Sequence, residues 1–169
     1  MSAPKLLAVA GTFYRDIADA LIKGAQDAAA AAGAEIDVVE VPGALEIPGA
    51  IVQAEIAEAD YEGYVALGCV IRGETTHYET VCNDSSRAIQ LLGLQGLCIG
   101  NGILTVENRK QAEVRADPAD QNKGGGAAAA ALHLIALRRK WGASKKGVGF
   151  KPPSESILVA GDSNGSTTA

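Results

Sequence analysis

The sequence predicts an α/β fold, a three-layer αβα sandwich around a four-stranded parallel sheet. Three observations carry that prediction. Short apolar runs that stop abruptly at Gly, Pro or polar residues read as strands buried on both faces. Stretches with apolar residues at helical spacing follow them. The two kinds of segment alternate as βαβαβαβα, the signature of a doubly wound sheet with right-handed crossovers.

The first run is Leu6 to Ala10, ending at Gly11. Ile17, Leu21, Ala25, Ala28 and Ala32 then recur at helical spacing from Arg15 onward, and Gly33 stops that helix. Ile36 to Val41 returns to β-branched residues and ends at Pro42 and Gly43. Pro48 suits the first turn of a helix running to about Ala59. Tyr64 to Ile71 is the most hydrophobic strand candidate and leads straight into Arg72–Tyr78, RGETTHY. Tyr78, Val81, Cys82, Ser85, Ile89 and Leu92 form one helical stripe, which puts Thr75, Thr76 and His77 at or beside a helix N-terminus. Leu97 to Leu104 is read as a fourth strand interrupted by Gly-Asn-Gly, and Glu107 to Arg115 as a short charged helix.

The last regular element spans about Lys123 to Trp141, capped by Asn122, with Arg138, Arg139 and Lys140 near its end and Gly142 closing it. Ala127 to Leu137 is apolar on nearly every face apart from His133, so burial by another subunit, and hence a homo-oligomer, is expected. The organisation read from the chain is one domain over residues 1–142 and a flexible extension over 143–169, whose Gly161–Ala169 stretch has no periodicity.

Composition limits the function classes. Of 169 residues, 47% are hydrophobic and 21% charged, as in a globular domain large enough for a real core. The net charge of -5 argues against general nucleic-acid binding but leaves room for a local basic pocket. No stretch has the length of a signal-peptide core or a membrane span, so no membrane association is expected. The odd set Cys69, Cys82 and Cys98, without CxxC spacing, indicates neither disulfides nor zinc, and a reducing, cytoplasmic compartment is expected.

In a parallel sheet the residues after each strand gather on one rim, where ligands bind. Here they are Thr12 and Phe13, Gly43 to Glu46, Arg72 to His77, and Asn101, which falls after or within the fourth strand. Gly73 permits a close turn, and Glu74 to Thr76 offer N–H groups at a helix start, an anion cradle suited to phosphate. An ordinary capped helix has the same Gly-x-Thr-Thr pattern; the adjacent His77, a residue type that titrates near neutral pH, favours a site with general acid–base capacity. His133, inside the apolar helix, reads as a packing or interface residue. Phe13, one of two phenylalanines, suits either stacking on a flat heterocycle or core packing. Arg115 and Lys123 flank a turn, where they serve either as solvated charges or as phosphate ligands. No Ser-His-Asp, P-loop or metal-ligand spacing is present.

Taken together, GTFY at 11–14, VPGALEIP at 41–48, ALGCVIRGETTHYETVCN at 66–83, GILTVEN at 102–108 and NKGG at 122–125 resemble the lumazine synthase family over nearly all of Leu6 to Gly142. The resemblance implies a flavodoxin-like fold without metal or organic cofactor. It implies condensation of 5-amino-6-(D-ribitylamino)uracil with 3,4-dihydroxy-2-butanone 4-phosphate to 6,7-dimethyl-8-ribityllumazine, the penultimate step of riboflavin synthesis. By the same resemblance Phe13 stacks on the pyrimidine, Ala44, Leu45 and Glu46 line the ribityl chain, and Cys69, Val70 and Ile71 contact the pyrimidine edge. Glu74 and Thr75 hold the butanone phosphate, Arg115 pairs with it, Lys123 accompanies the substrate-binding set, and His77 is the proton donor. The family's sites lie between subunits, with Arg115 and the region of Asn101 contributed by a neighbour. The implied assembly is a pentamer or a sixty-subunit shell. Asn101 stands where many members carry a second aromatic. Two rivals are a lumazine-synthase-like riboflavin synthase and a non-catalytic, flavin-binding shell protein. GETTHY and Arg115 weigh against the first, and His77, Arg115 and Lys123 against the second.

Overall fold

Four strands, Lys5–Gly11 (β1), Glu35–Val41 (β2), Gly63–Ile71 (β3) and Ile99–Val106 (β4), pair in parallel in the order β2-β1-β3-β4. They belong to a computed structural model that describes residues 2–144. The α/β fold predicted from sequence is the fold observed.

The unbroken hydrophobicity of β1 and β3 follows from burial on two sides. Leu6, Ala8 and Ala10 of β1, with Val65 and Leu67 of β3, face one core; Leu7 and Val9, with Tyr64, Ala66 and Val70, face the other. Successive side chains of a strand point to opposite faces, so a strand with a helix layer on each side has no polar position to spare. Helices Arg15–Ala31 (α1), Arg109–Ala116 (α4) and Lys123–Ser144 (α5) cover the first core; Ile47–Ile56 (α2) and His77–Leu94 (α3) cover the second. β2, at one edge, alternates half-buried Ile36 and Val38 with exposed Glu35 and Asp37.

Most helix ends follow from local signals. Gly33 takes φ 68 beyond α1, the left-handed geometry that favours glycine after a helix. The Asn108 carboxamide accepts from the Gln111 N–H at 3.0 Å, and that of Asn122 accepts from the Gly125 N–H at 3.1 Å, capping α4 and α5. Pro48 sits in the first turn of α2, which ends at Ile56, three residues before the expected Ala59. Arg138 donates to the Glu62 carbonyl, and Arg139 donates to the Glu62 carboxylate and the Ser2 carbonyl; these bonds tie the C-terminal part of α5 to the start of β3.

Three expectations need correction. The fourth strand is not interrupted at Gly-Asn-Gly: β4 runs unbroken through it to Val106, with Asn101 opposite Ala66. The glycines answer to packing. A Cβ on Gly100 would lie 1.8 Å from the Ala127 carbonyl oxygen, and one on Gly102 would lie 3.0 Å from the Ala127 Cβ, so α5 crosses β4 where only glycine leaves room. Second, the chain itself buries much of the all-apolar helix: Ala127, Ala128, Ala131 and Ile135 pack against α1 and the sheet, while Ala129, Ala130, His133, Leu134 and Trp141 stay exposed. Third, Gly142 does not end α5, which continues to Ser144. The expected flexible extension otherwise lies outside the described residues.

Candidate active site

The chain leaves β1 toward β2 on one side of the sheet and reaches β3 on the other, so the carboxyl ends of β1 and β3 flank a switch point, where doubly wound sheets bind ligands. A cavity of about 320 Å³ opens there. Phe13 and Tyr14 after β1, Pro42–Glu46 after β2, Cys69–Ile71 at the end of β3, and His77, Tyr78 and Val81 of α3 line it. Gly11 lets the β1 and β2 ends converge: a Cβ there would come within 2.8 Å of the Gly43 carbonyl carbon. The Thr12 N–H also donates to the Val41 carbonyl at 3.0 Å.

Phe13 is 75% exposed, which removes the core-packing alternative. Its ring meets Tyr14 edge-on at 5.0 Å between centroids, leaving an aromatic face at the mouth of the cavity. Ala44, Leu45 and Glu46 form a single 3-10 turn; Ala44 is buried, whereas Leu45 and Glu46 are exposed. Val70 is buried, and Cys69 and Ile71 are half-buried. Burial pushes the Cys69 thiol up to about 12, so it serves as a neutral wall rather than a nucleophile.

His77 opens α3 and is exposed on the cavity side. Thr76 precedes it without a side-chain cap, and the His77 N–H reaches Thr75 Oγ1 only at 3.4 Å. Glu74 and Thr75 do not line the cavity. They lie in the exposed bend before the helix, where the N–H groups of Glu74, Thr75 and Thr76 find no acceptor among the described residues. A helix N-terminus with open N–H donors attracts an anion. The cavity lining contains neither Arg nor Lys.

Arg115, Lys123 and Asn101 are elsewhere. They line a second concavity of about 440 Å³ along β4, with Gly102–Thr105 and with Gly126, Ala127 and Ala130 of α5. Of the two places open to Asn101, after the fourth strand or within it, the structure shows the second: it lies inside β4, opposite Ala66, and so away from the rim. Its carboxamide oxygen accepts from the Ile103 N–H at 3.0 Å, folding the side chain against its own strand. Arg115 donates one bond to the Gln111 carbonyl, and no carboxylate pairs with it or with Lys123 among the described residues. Their charge is open to an incoming anion.

Sequence reasoning gave no site role to Tyr14, Pro42 or Val81 as cavity walls, and reached Tyr78 only as the end of RGETTHY. Tyr78 and Val81 were placed in the core stripe of α3; their position in its first two turns, directly after His77, was the signal that the stripe's start faces the rim. In the second concavity Thr105 and Ala130 carried no distinguishing signal.

The model of the 6,7-dimethyl-8-ribityllumazine synthase family matches residues 3–139. Among curated relatives, the 6,7-dimethyl-8-ribityllumazine synthase of Novosphingobium aromaticivorans is 57% identical over 81% of this chain and 98% of its own length. That of Bartonella tribocorum is 57% identical over 82% and 93%. The same-named protein of Jannaschia sp. is 51% identical over 94% of this chain and 89% of its own, an alignment that reaches into the C-terminal segment.

Proposed function

This chain belongs to the 6,7-dimethyl-8-ribityllumazine synthase family, and on that premise we propose how its two concavities share the work of one reaction. It is a transferase of riboflavin biosynthesis that condenses 5-amino-6-(D-ribitylamino)uracil with 3,4-dihydroxy-2-butanone 4-phosphate, giving 6,7-dimethyl-8-ribityllumazine, phosphate and two waters. The observation that carries the assignment of roles is the division of charge. The first cavity has an aromatic face and a histidine, lies beside an anion-attracting helix start and has no lining cation; the second has two cations that no carboxylate pairs among the described residues, and no acid–base group.

In this reading Phe13 stacks on the pyrimidine and Cys69, Val70 and Ile71 bound its edge. Ala44, Leu45 and Glu46 run beside the ribityl chain, where the Glu46 carboxylate accepts hydroxyl hydrogen bonds. The N–H groups of Glu74 and Thr75 and the Thr75 hydroxyl donate to the butanone phosphate. Arg115, with Lys123 and Asn101, comes to that phosphate from a neighbouring copy of the chain in a homo-oligomer, a pentamer or a shell of sixty, in the cytoplasm. Residues 1–142 are the catalytic unit, with 143–169 an extension of it.

The aromatic amine attacks the ketone, water leaves to give an imine, phosphate is eliminated, and ring closure expels the second water. Each step moves a proton, and His77 beside the reacting carbons gives and takes it. The amine is already nucleophilic, so alignment of two reactants supplies much of the acceleration. Arg115 neutralises charge on the departing phosphate, a task for a fork of donors that stays protonated.

Incubation of the purified protein with both substrates, followed by the absorbance of the lumazine product, tests the reaction. Mixed oligomers test the shared site. Co-assembly of the impaired His77→Ala and Arg115→Ala chains, assayed with the butanone phosphate below its KM, raises the activity above that of either variant alone if each site draws on two chains, and gives only their average if each chain carries a whole site.

A further inference from the structure

The turn that carries His77 is poorly held by its own bonds. Gly73–Thr76 is exposed, α3 begins without a side-chain cap, and among the described residues the only side-chain bond within the turn is the 3.4 Å contact of Thr75 with the His77 N–H. Arg72, immediately before it, is anchored through both its backbone and its side chain. Its N–H donates to the Val106 carbonyl at 2.9 Å, fixing it to the end of β4. Its Nε donates to Glu107 Oε2 at 2.7 Å, its Nη1 donates to Glu79, and its Cζ lies 4.2 Å from the centroid of the Tyr78 ring. Two of these three side-chain partners, Tyr78 and Glu79, directly follow His77 in the first turn of α3. The third, Glu107, belongs to the link between β4 and α4.

We infer that Arg72 is a positioning residue for the condensation, its guanidinium bracing the start of α3 against the ends of β3 and β4 so that His77 keeps its place over the cavity. The inference rests on the proposed role of His77 and goes beyond it. A planar fork with a flat face can grip two carboxylates and a ring together; an ammonium group has neither the second edge nor the face. The hydrogen bond from Arg72 also holds the Glu79 carboxyl below its ordinary range, so this clamp stays charged throughout the neutral range. Phe13 and Ala44–Glu46 stand on separate links, after β1 and β2, and Cys69–Ile71, although they adjoin Arg72, are held within β3 by pairing with Leu104–Val106 of β4, so none of them depends on the brace. Arg72 therefore acts on His77 and on the neighbouring N–H groups of Glu74 and Thr75, but not on the heterocycle half of the cavity.

The test is steady-state kinetics of the full chain with Arg72→Met, Arg72→Lys and the double variant Glu79→Gln/Glu107→Gln, alongside the melting temperature of each. Misplacing a catalytic group by about 1 Å costs up to about 100-fold in rate, so Arg72→Met and the double variant are expected to lower kcat by roughly 10- to 100-fold. The KM for the butanone phosphate rises, while the KM for the ribitylaminouracil stays within about twofold and the melting temperature is unchanged, since half-exposed ion pairs contribute little to global stability. Arg72→Lys recovers part of the loss. Wild-type kcat in Arg72→Met overturns the inference, as does a rise in both KM values together with a lower melting temperature, which marks general loosening. A wild-type protein that makes no lumazine refutes the functional reading instead, so the two failures are distinguishable.

Discussion

Replacing Gly100 by alanine adds one methyl group where α5 crosses β4. The new Cβ would stand 1.8 Å from the Ala127 carbonyl oxygen, 2.6 Å from its carbon and 3.2 Å from its Cα. The obstacle is backbone, so no rotamer change relieves it, and α5 has to retreat by about 1.6 Å to restore an ordinary contact. Retreat lifts Ala127, Ala128, Ala131 and Ile135 from α1 and the sheet. Overpacking a core by a methylene costs about 1–3 kcal/mol, and a backbone clash belongs at about 3 kcal/mol. At roughly 3 °C per kcal/mol for a folded unit of this size, the melting temperature falls by about 10 °C. Scanning calorimetry at fixed protein concentration measures it, since any assembly makes the transition concentration-dependent. Gly93→Ala is the control: it lies in α3 with nothing within 4 Å of its added Cβ, and gains about 0.5–1 kcal/mol from reduced chain entropy. A Gly100→Ala protein that melts within about 2 °C of wild type refutes the argument that glycine permits this crossing.

His77→Ala is expected to lower kcat by roughly 10- to 100-fold, at or below the low end of what acid–base groups supply, because the amine needs little activation. Arg115→Ala raises the KM for the butanone phosphate by roughly 10- to 100-fold, the loss of a hydrogen bond to a charged group; initial rates with each substrate varied separately distinguish the two variants. Cys69, its thiol pushed up to about 12 by burial, resists iodoacetamide at pH 8 in the native protein and reacts readily in denaturant, as mass spectrometry of the labelled peptide will show. The Glu40 carboxyl is held below its ordinary range by the bidentate hydrogen bonds from Arg15. Its contribution is thus present above the pKa of the unfolded chain and lost as pH falls through the lower folded value. The melting temperature of Arg15→Met should fall less steeply than that of wild type between about pH 5 and pH 3.

What could be read without coordinates was local. The strands β1 and β3 announced themselves because burial on both faces leaves no polar alternation to confuse the pattern. Gly33 and Asn122 marked a helix end and start, since left-handed geometry and capping each demand particular residues. Phe13 and His77 were legible as candidate site residues because each follows a strand by only a few positions. Gly-Asn-Gly was misread because glycine serves two ends: it breaks strands, and it also admits a crossing helix. Only the position of Ala127 against Gly100 separates those meanings.

The α/β class, the alternation of elements and the candidate residues of the rim are consequences of periodicity and of residue-specific backbone preferences, and so are legible along the chain. Which of those candidates share a cavity depends on the packing of strands and helices. Phe13, Ala44–Glu46, Cys69–Ile71 and His77 come together because β1 and β3 are neighbours at the switch point, whereas Asn101, Arg115 and Lys123 gather on the far side of β4. Strand order and helix crossing are set by contacts between residues distant in the chain, and a pattern of near neighbours carries no record of them.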